Sequence, residues 1–220
     1  MKIHRRTILQ WALRASALGL GGFLPGPLAA MIKPGMRSIE GDVRINGKAA
    51  TTGQIIAPGD NLTTGPEAQA VLIHGFNAYL ARGNSNIIFP EDTVTQQVLT
   101  VISGQVLSVF GSGELTIDMP VATIGIRGTG VYVEAWAEHD YVCLCYGRAT
   151  LKSKLNSSVS LILDTFHHDA PKNFFASPKD HDGLFYEKAE MINHKDEELI
   201  MLEALVGRIP LFGPKPIKMP

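Results

Sequence analysis

The sequence predicts a mainly β protein, with antiparallel strands in a solenoid-like or sandwich-like stack and one small C-terminal helix. Three observations predict it. Between about residues 37 and 154, apolar and β-branched residues come in short runs, each closed by a turn signal. No window in that region sustains the helical period. The one stretch that does, NHKDEELIMLEALVGRIP, begins only at Asn193.

In chain order, residues 1–30 read as an export leader. MKIHRRTILQ is basic, WALRASALGLGGFLPGPLAA is apolar, and the segment ends in small residues at Ala29 and Ala30. Arg5 and Arg6, followed by Thr7, Ile8, Leu9 and Gln10, resemble a twin-arginine signal. A membrane anchor is the competing reading, but Arg14, the glycines and the prolines interrupt any span of about 20 apolar residues. Cleavage is expected after Ala30, which places the protein in the periplasm. The leader holds Lys2, Arg5, Arg6 and Arg14 and no acid, so the remainder carries 16 basic against 21 acidic residues, a net charge of −5. That balance argues against nucleic acid or an anionic membrane surface as partner.

The strands follow. VRING, AQAVLIHG, NAYLARG, QQVLTVISG, QVLSVFGSG and ELTIDMP each precede a turn, and Asn46-Gly47 and Gly111-Ser112-Gly113 supply positive φ without a Cβ clash. GDVRI, GQVLS and GRATL recur at Gly41, Gly104 and Gly147, but too unevenly for a repeat protein. Two elements stand out: Gly59-Asp60-x-Leu62-x-Thr64-Gly65, and Thr123-Ile124-Gly125-Ile126-Arg127-Gly128-Thr129. With GDVRING, VISGQVLSV and YVCLCYGRATL around them, over residues 38–152, they resemble the FecR domain. That resemblance implies a β-rich extracytoplasmic module that contacts envelope proteins and catalyses nothing. Regulators of that family carry a cytoplasmic segment and a transmembrane helix ahead of the module. Here the leader abuts it, so no cytoplasmic part is expected. The chain also departs from the pattern at Gly130, where an acidic or polar residue is usual.

Within VATIGIRGTGVYVEA the glycines read as architecture. Glycine inside a strand pattern marks a bulge or a close backbone approach, and Arg127 between them is placed to fork hydrogen bonds to carbonyls exposed by the bend. The alternative, an anion-cradling loop, requires a helix to follow, whereas VYVEAW alternates as a strand. Gly59, Asp60, Thr64, Gly65, Gly125, Arg127, Gly128 and Thr129 are therefore assigned structural roles.

YVCLCYG carries the candidate chemistry. In a strand, Cys143 and Cys145 project to one face with Tyr141, while Val142, Leu144 and Tyr146 face the other way. Side chains two apart lie about 7 Å apart, too far for an easy disulfide. FHHDAP then supplies His167 and His168, and His194 opens the helix. Two readings stand: small buried thiols with loop histidines, or a zinc, iron or copper site built from Cys143, Cys145, His167, His168 and His194. Asp180-His181-Asp182, His74 and His139 are weaker candidates.

Residues 155–220 form an extension with a polar loop, a helix over about 194–206 and a proline-rich tail. Asn193 is expected to cap the helix, Leu199, Leu202 and Val206 to form its apolar stripe, and Gly207 to end it. No nucleophile elbow, Walker motif, zinc-protease helix or dinucleotide fingerprint occurs. The reading is an exported, non-enzymatic, FecR-like regulatory module acting on a protein partner in the envelope, without a cofactor. The alternative is a periplasmic metal-binding protein.

Overall fold

The computed structural model describes residues 32–91, 97–168 and 171–213. The leader, its twin arginines and the break after Ala30 lie outside the described residues. Fourteen strands join in one mixed sheet: β1 (Gly35–Glu40), β2 (Val43–Ile45), β3 (Lys48–Ala49), β4 (Asn61–Thr64), β5 (Gln69–His74), β6 (Asn77–Ala81), β7 (Asn86–Ile88), β8 (Gln97–Val109), β9 (Leu115–Asp118), β10 (Ala122–Ala135), β11 (His139–Ser153), β12 (Ser160–Thr165), β13 (Lys172–Phe175) and β14 (Tyr186–Lys188). All pairings are antiparallel except β8 with β9. The predicted mainly β class is what the chain adopts, in its sandwich-like form. The sheet folds over a shared interior that includes Leu62, Tyr79, Phe89, Val101, Ile124, Val133 and Leu144.

Three strands are far longer than the sequence suggests. β8, β10 and β11 run through glycines at which the pattern reads as broken. β8 pairs with β7 and β9 before Gly104, and with β6 and β10 after it. Gly104 has φ +92°, and a Cβ there would stand 2.3 Å from the Ser85 Cα. β10 changes neighbour from β9 to β8 across a bulge between Arg127 and Gly130. Gly128 has φ +64°, and opposite it Gly147, φ +91°, would place a Cβ 3.0 Å from the Gly128 carbonyl oxygen. Each strand bends from one layer to the next where a missing side chain lets backbones meet. β11 likewise serves β13 at its start and β12 at its end.

The bends leave one outward face of β5, β6, β8, β10 and β11 apolar, with Val71, Ile73, Leu80, Leu107, Val109, Tyr132 and the two cysteines on it. The C-terminal segment covers it. Helix α1 spans Asp196–Leu205, shorter at its start than the expected 194–206. Asn193 does not cap it: its φ is +54° and its carboxamide donates to Glu134 Oε1 at 2.7 Å. The first turn is fixed instead by Glu198 Oε2, which accepts the Lys195 N–H at 3.0 Å. Leu199, Leu202 and Val206 are buried against the sheet as the stripe predicts, and Gly207 ends the helix at φ +70°. Gly130 also finds its reason here. A Cβ there would lie 2.3 Å from the Tyr146 ring, and the Tyr146 hydroxyl donates to Glu203 of α1. The glycine leaves room for the tyrosine that ties the helix down.

Two outcomes test this architecture. Gly104→Ala combines a left-handed φ with a backbone clash, so it should cost about 3 kcal/mol or more in denaturant unfolding. Gly47→Ala, with φ +75° and open space, should cost only about 1–2 kcal/mol. Asp140 is buried and accepts the Val121 and Ala122 N–H groups at 2.7 and 2.8 Å, and burial raises its pKa to about 6. The folded chain therefore holds that proton more tightly than the unfolded one. Its contribution is present below about pH 4 and is lost as pH rises through about 6, a span worth about 3 kcal/mol. Unfolding curves from pH 4 to 7 should show this decline in the wild type and a flatter profile in Asp140→Asn.

Candidate metal centre

Strand alternation places the sulfurs. On β11, Val142 and Leu144 enter the interior, so Tyr141, Cys143 and Cys145 must point outward, beneath the C-terminal segment. Both cysteines are unpaired and 0% exposed. His168 follows β12. Its N–H donates to the Cys145 carbonyl at 2.9 Å, and its φ of +49° turns the ring back over the thiols. His194 comes from the segment leading into α1. Its ring stacks on Tyr132, which sits across from Cys143 on β10, with centroids 4.5 Å apart and planes at 21°.

The four side chains converge. Cys143 Sγ lies 3.5 Å from His168 Nδ1, Cys145 Sγ 3.5 Å from His194 Nε2, and the two imidazole nitrogens 3.2 Å apart. All four donor atoms fall within 4.8 Å of one another. A tetrahedron with metal–nitrogen and metal–sulfur bonds of the usual lengths has edges of about 3.4–3.8 Å. These three separations lie close to such edges, and the other three are bounded by 4.8 Å.

The imidazoles are also held in the tautomer that ligation requires. His194 Nδ1 lies 2.6 Å from the Ile192 carbonyl oxygen. A carbonyl only accepts, so Nδ1 carries the proton and Nε2 presents a lone pair to the sulfurs. His168 Nε2 lies 3.1 Å from Asp196 Oδ1, which leaves Nδ1 as the inward nitrogen. Each ring is thus anchored from behind by an acceptor, the arrangement that orients metal-ligating histidines. The electrostatics supply one of the two thiolates. A hydrogen bond from Cys145, aided by His168 and His194, pulls the Cys143 thiol well below its usual pKa despite burial. Burial and the adjacent Cys143 push Cys145 up. Burial works against the charged form of His168, yet Cys143 and Asp196 raise it overall. The site favours a thiolate, which is the form that binds metal.

His167 stands outside the four. Its Nε2 lies 2.8 Å from the same Asp196 oxygen, its side chain is 36% exposed, and it shares a second donor group with His168 and Asp196. Asp196 itself, 6% exposed, is not among the sequence candidates. In DEE it reads as a charge for the helix end, and only the fold brings it behind two histidines. Tyr132 and Glu134 were equally silent.

The motif residues lie elsewhere, in turns and bends. Asp60 accepts from Asn46 Nδ2 and from the Ala57 N–H, both at 2.7 Å, while Gly59 turns at φ +78°. Thr64 Oγ1 accepts the Ser85 N–H at 2.8 Å, and the Gly65 N–H donates to the Asp42 carbonyl at 2.8 Å. Thr129 is buried beside the Gly128 bend, whereas Gly125 faces outward with almost open space above it. Arg127 does not fork to backbone carbonyls. Its side chain is exposed and lines a shallow hollow with Arg148, its cross-strand partner. At the bend the Thr129 carbonyl accepts the Phe110 N–H at 2.8 Å, and the guanidinium is left to solvent. His181 stacks on Phe175 and His74 packs near Phe89, so both contribute to packing.

Neither a protein-family model nor a curated protein matches the chain. Solved structures that resemble it include two of one protein. Both are crystal structures of a "putative anti-sigma factor" from Parabacteroides distasonis ATCC 8503, at 1.65 and 2.50 Å resolution. Identities are 7% and 9%, with a TM-score of 0.49 for each, covering 65% of this chain and 64% of that one. The chain thus spans less than two thirds of the length of the proteins it matches. Among the described residues, no helix is long and apolar enough to cross a membrane.

The burial of both sulfurs has a direct readout. A bulky disulfide reagent should label neither cysteine in the native protein and both after unfolding in denaturant. Rapid labelling of the native protein would contradict the described site.

Proposed function

We propose that this protein is an exported, non-enzymatic, FecR-like module that binds one transition metal ion, zinc by preference, through Cys143, Cys145, His168 and His194. The observation that carries the reading is the match of donor spacing to a tetrahedron, with both histidines already fixed in the ligating tautomer. Two thiolates and two imidazoles form a closed N/S set of the kind that serves structural zinc. Both sulfurs and His194 are buried and the His168 side chain is 6% exposed, which is why the site is assigned to holding and not to catalysis. Zinc has no redox chemistry and suits such a set. Iron and copper are the competitors that metal analysis separates.

The location and partner rest on sequence. The basic, apolar, small-residue leader supports export, and the GDNLTTG and TIGIRGT elements support a FecR-like domain that meets a protein in the envelope. Sheet edges such as β12, which among the described residues pairs only with β11, are suited to such contacts.

Protein purified without an affinity tag should carry one zinc per chain by elemental analysis. Cobalt substitution should give the intense visible bands of a tetrahedral thiolate site. Cys143→Ser, Cys145→Ser and His168→Ala should each lower zinc affinity by at least 100-fold, whereas His167→Ala should change it little. Asp196→Asn should cost roughly 10–100-fold through the loss of its hold on His168. Absence of any stoichiometric metal, and no uptake of added zinc, would refute the proposal.

A further inference from the structure

Resting on that metal reading, we infer that the ion fastens residues 190–206 to the β-sheet through His194, and that metal occupancy thereby sets whether helix α1 is ordered against the sheet. The two sulfurs stand on β11, which pairs with β10 from Asp140 to Ser153 with interruptions at Cys145 and Gly147. They are the fixed half of the centre. His194 is the movable half, because it belongs to a segment between β14 and α1 that joins no strand ladder. That segment is held by side chains. Tyr141 donates its hydroxyl hydrogen to the Glu190 carbonyl at 2.9 Å, and Asn193 is gripped by Glu134 and by Arg82 at 2.9 Å.

The wall on the His194 side is also the thin one. An open hollow of about 370 Å³ abuts His194, lined by Arg82, Gln105, Asn193, Lys195 and Glu198. The sulfurs themselves are fully buried. The hollow gives an ion a short way in and out past His194. Withdrawal of the ion leaves two thiols and two imidazoles facing one another in a dry space with water one ring away. Swinging His194 outward relieves that, and α1 begins two residues later. With ten residues, α1 is too short to persist without its packing.

Hydrogen exchange of the full chain, zinc-loaded and zinc-free, tests the inference. Amides of 190–206 should exchange roughly tenfold faster or more without zinc, while those of β8, β10 and β11 change little. His194→Ala in the presence of zinc should reproduce the zinc-free pattern at 190–206 with the same sheet protected, which separates a released segment from a failed fold. Equal protection of α1 with and without bound zinc overturns the inference and leaves the metal reading intact. So does loss of protection in the sheet together with the helix. A chain that binds no zinc overturns both.

Discussion

A strand can pass from one layer of a sheet to another only where its backbone is free to approach a neighbour closely, and this fold depends on three such places. Gly104, Gly128 and Gly147 allow β8, β10 and β11 to bend and exchange partners, so that one long sheet closes over its own apolar side. The bends also decide what is left over. The central strands present a second apolar face outward, and that face must be covered. The C-terminal segment is the cover. The candidate centre lies in the seam between the two.

Seen this way, the cysteines are where alternation requires. From Tyr141 to Cys145, β11 sends Val142 and Leu144 to the interior and Tyr141, Cys143 and Cys145 to the seam. Past the register shift at Cys145, Tyr146 joins them there instead of facing the other way. Small, soft side chains pack well in such a place. What raises them above packing is the arrival of His168 and His194 from two other stretches of chain, each with its outer nitrogen already engaged. Random loop histidines have no reason to share that orientation.

Much of the fold was legible. The alternation in the short runs and the helix stripe at Leu199, Leu202 and Val206 report burial directly, and burial is what periodicity encodes. Strand length was not legible. A glycine that ends a strand and a glycine that bends one look alike in sequence, because the difference lies in what approaches it from elsewhere in the chain, as Ser85 does at Gly104. The same limit applied to the site. The shared face of Cys143 and Cys145 follows from spacing alone, but the choice of His168 and His194 over His167 turns on one positive φ and on an aspartate 28 residues away. Asn193 misled for a related reason. Its side chain has the chemistry of a cap, yet Glu134 claims it first.

Gly130 is the point at which the glycine-rich TIGIRGTG stretch and the C-terminal extension meet. The hydrogen in place of a side chain there serves Tyr146, and Tyr146 serves α1. The two regions of the chain are consequently not interchangeable parts. A chimera joining this C-terminal extension to a sister domain with a bulkier residue at that position would find the tyrosine's berth already filled, and the helix would lose its mooring. The motif and the extension can be inherited, or transplanted, only as a pair.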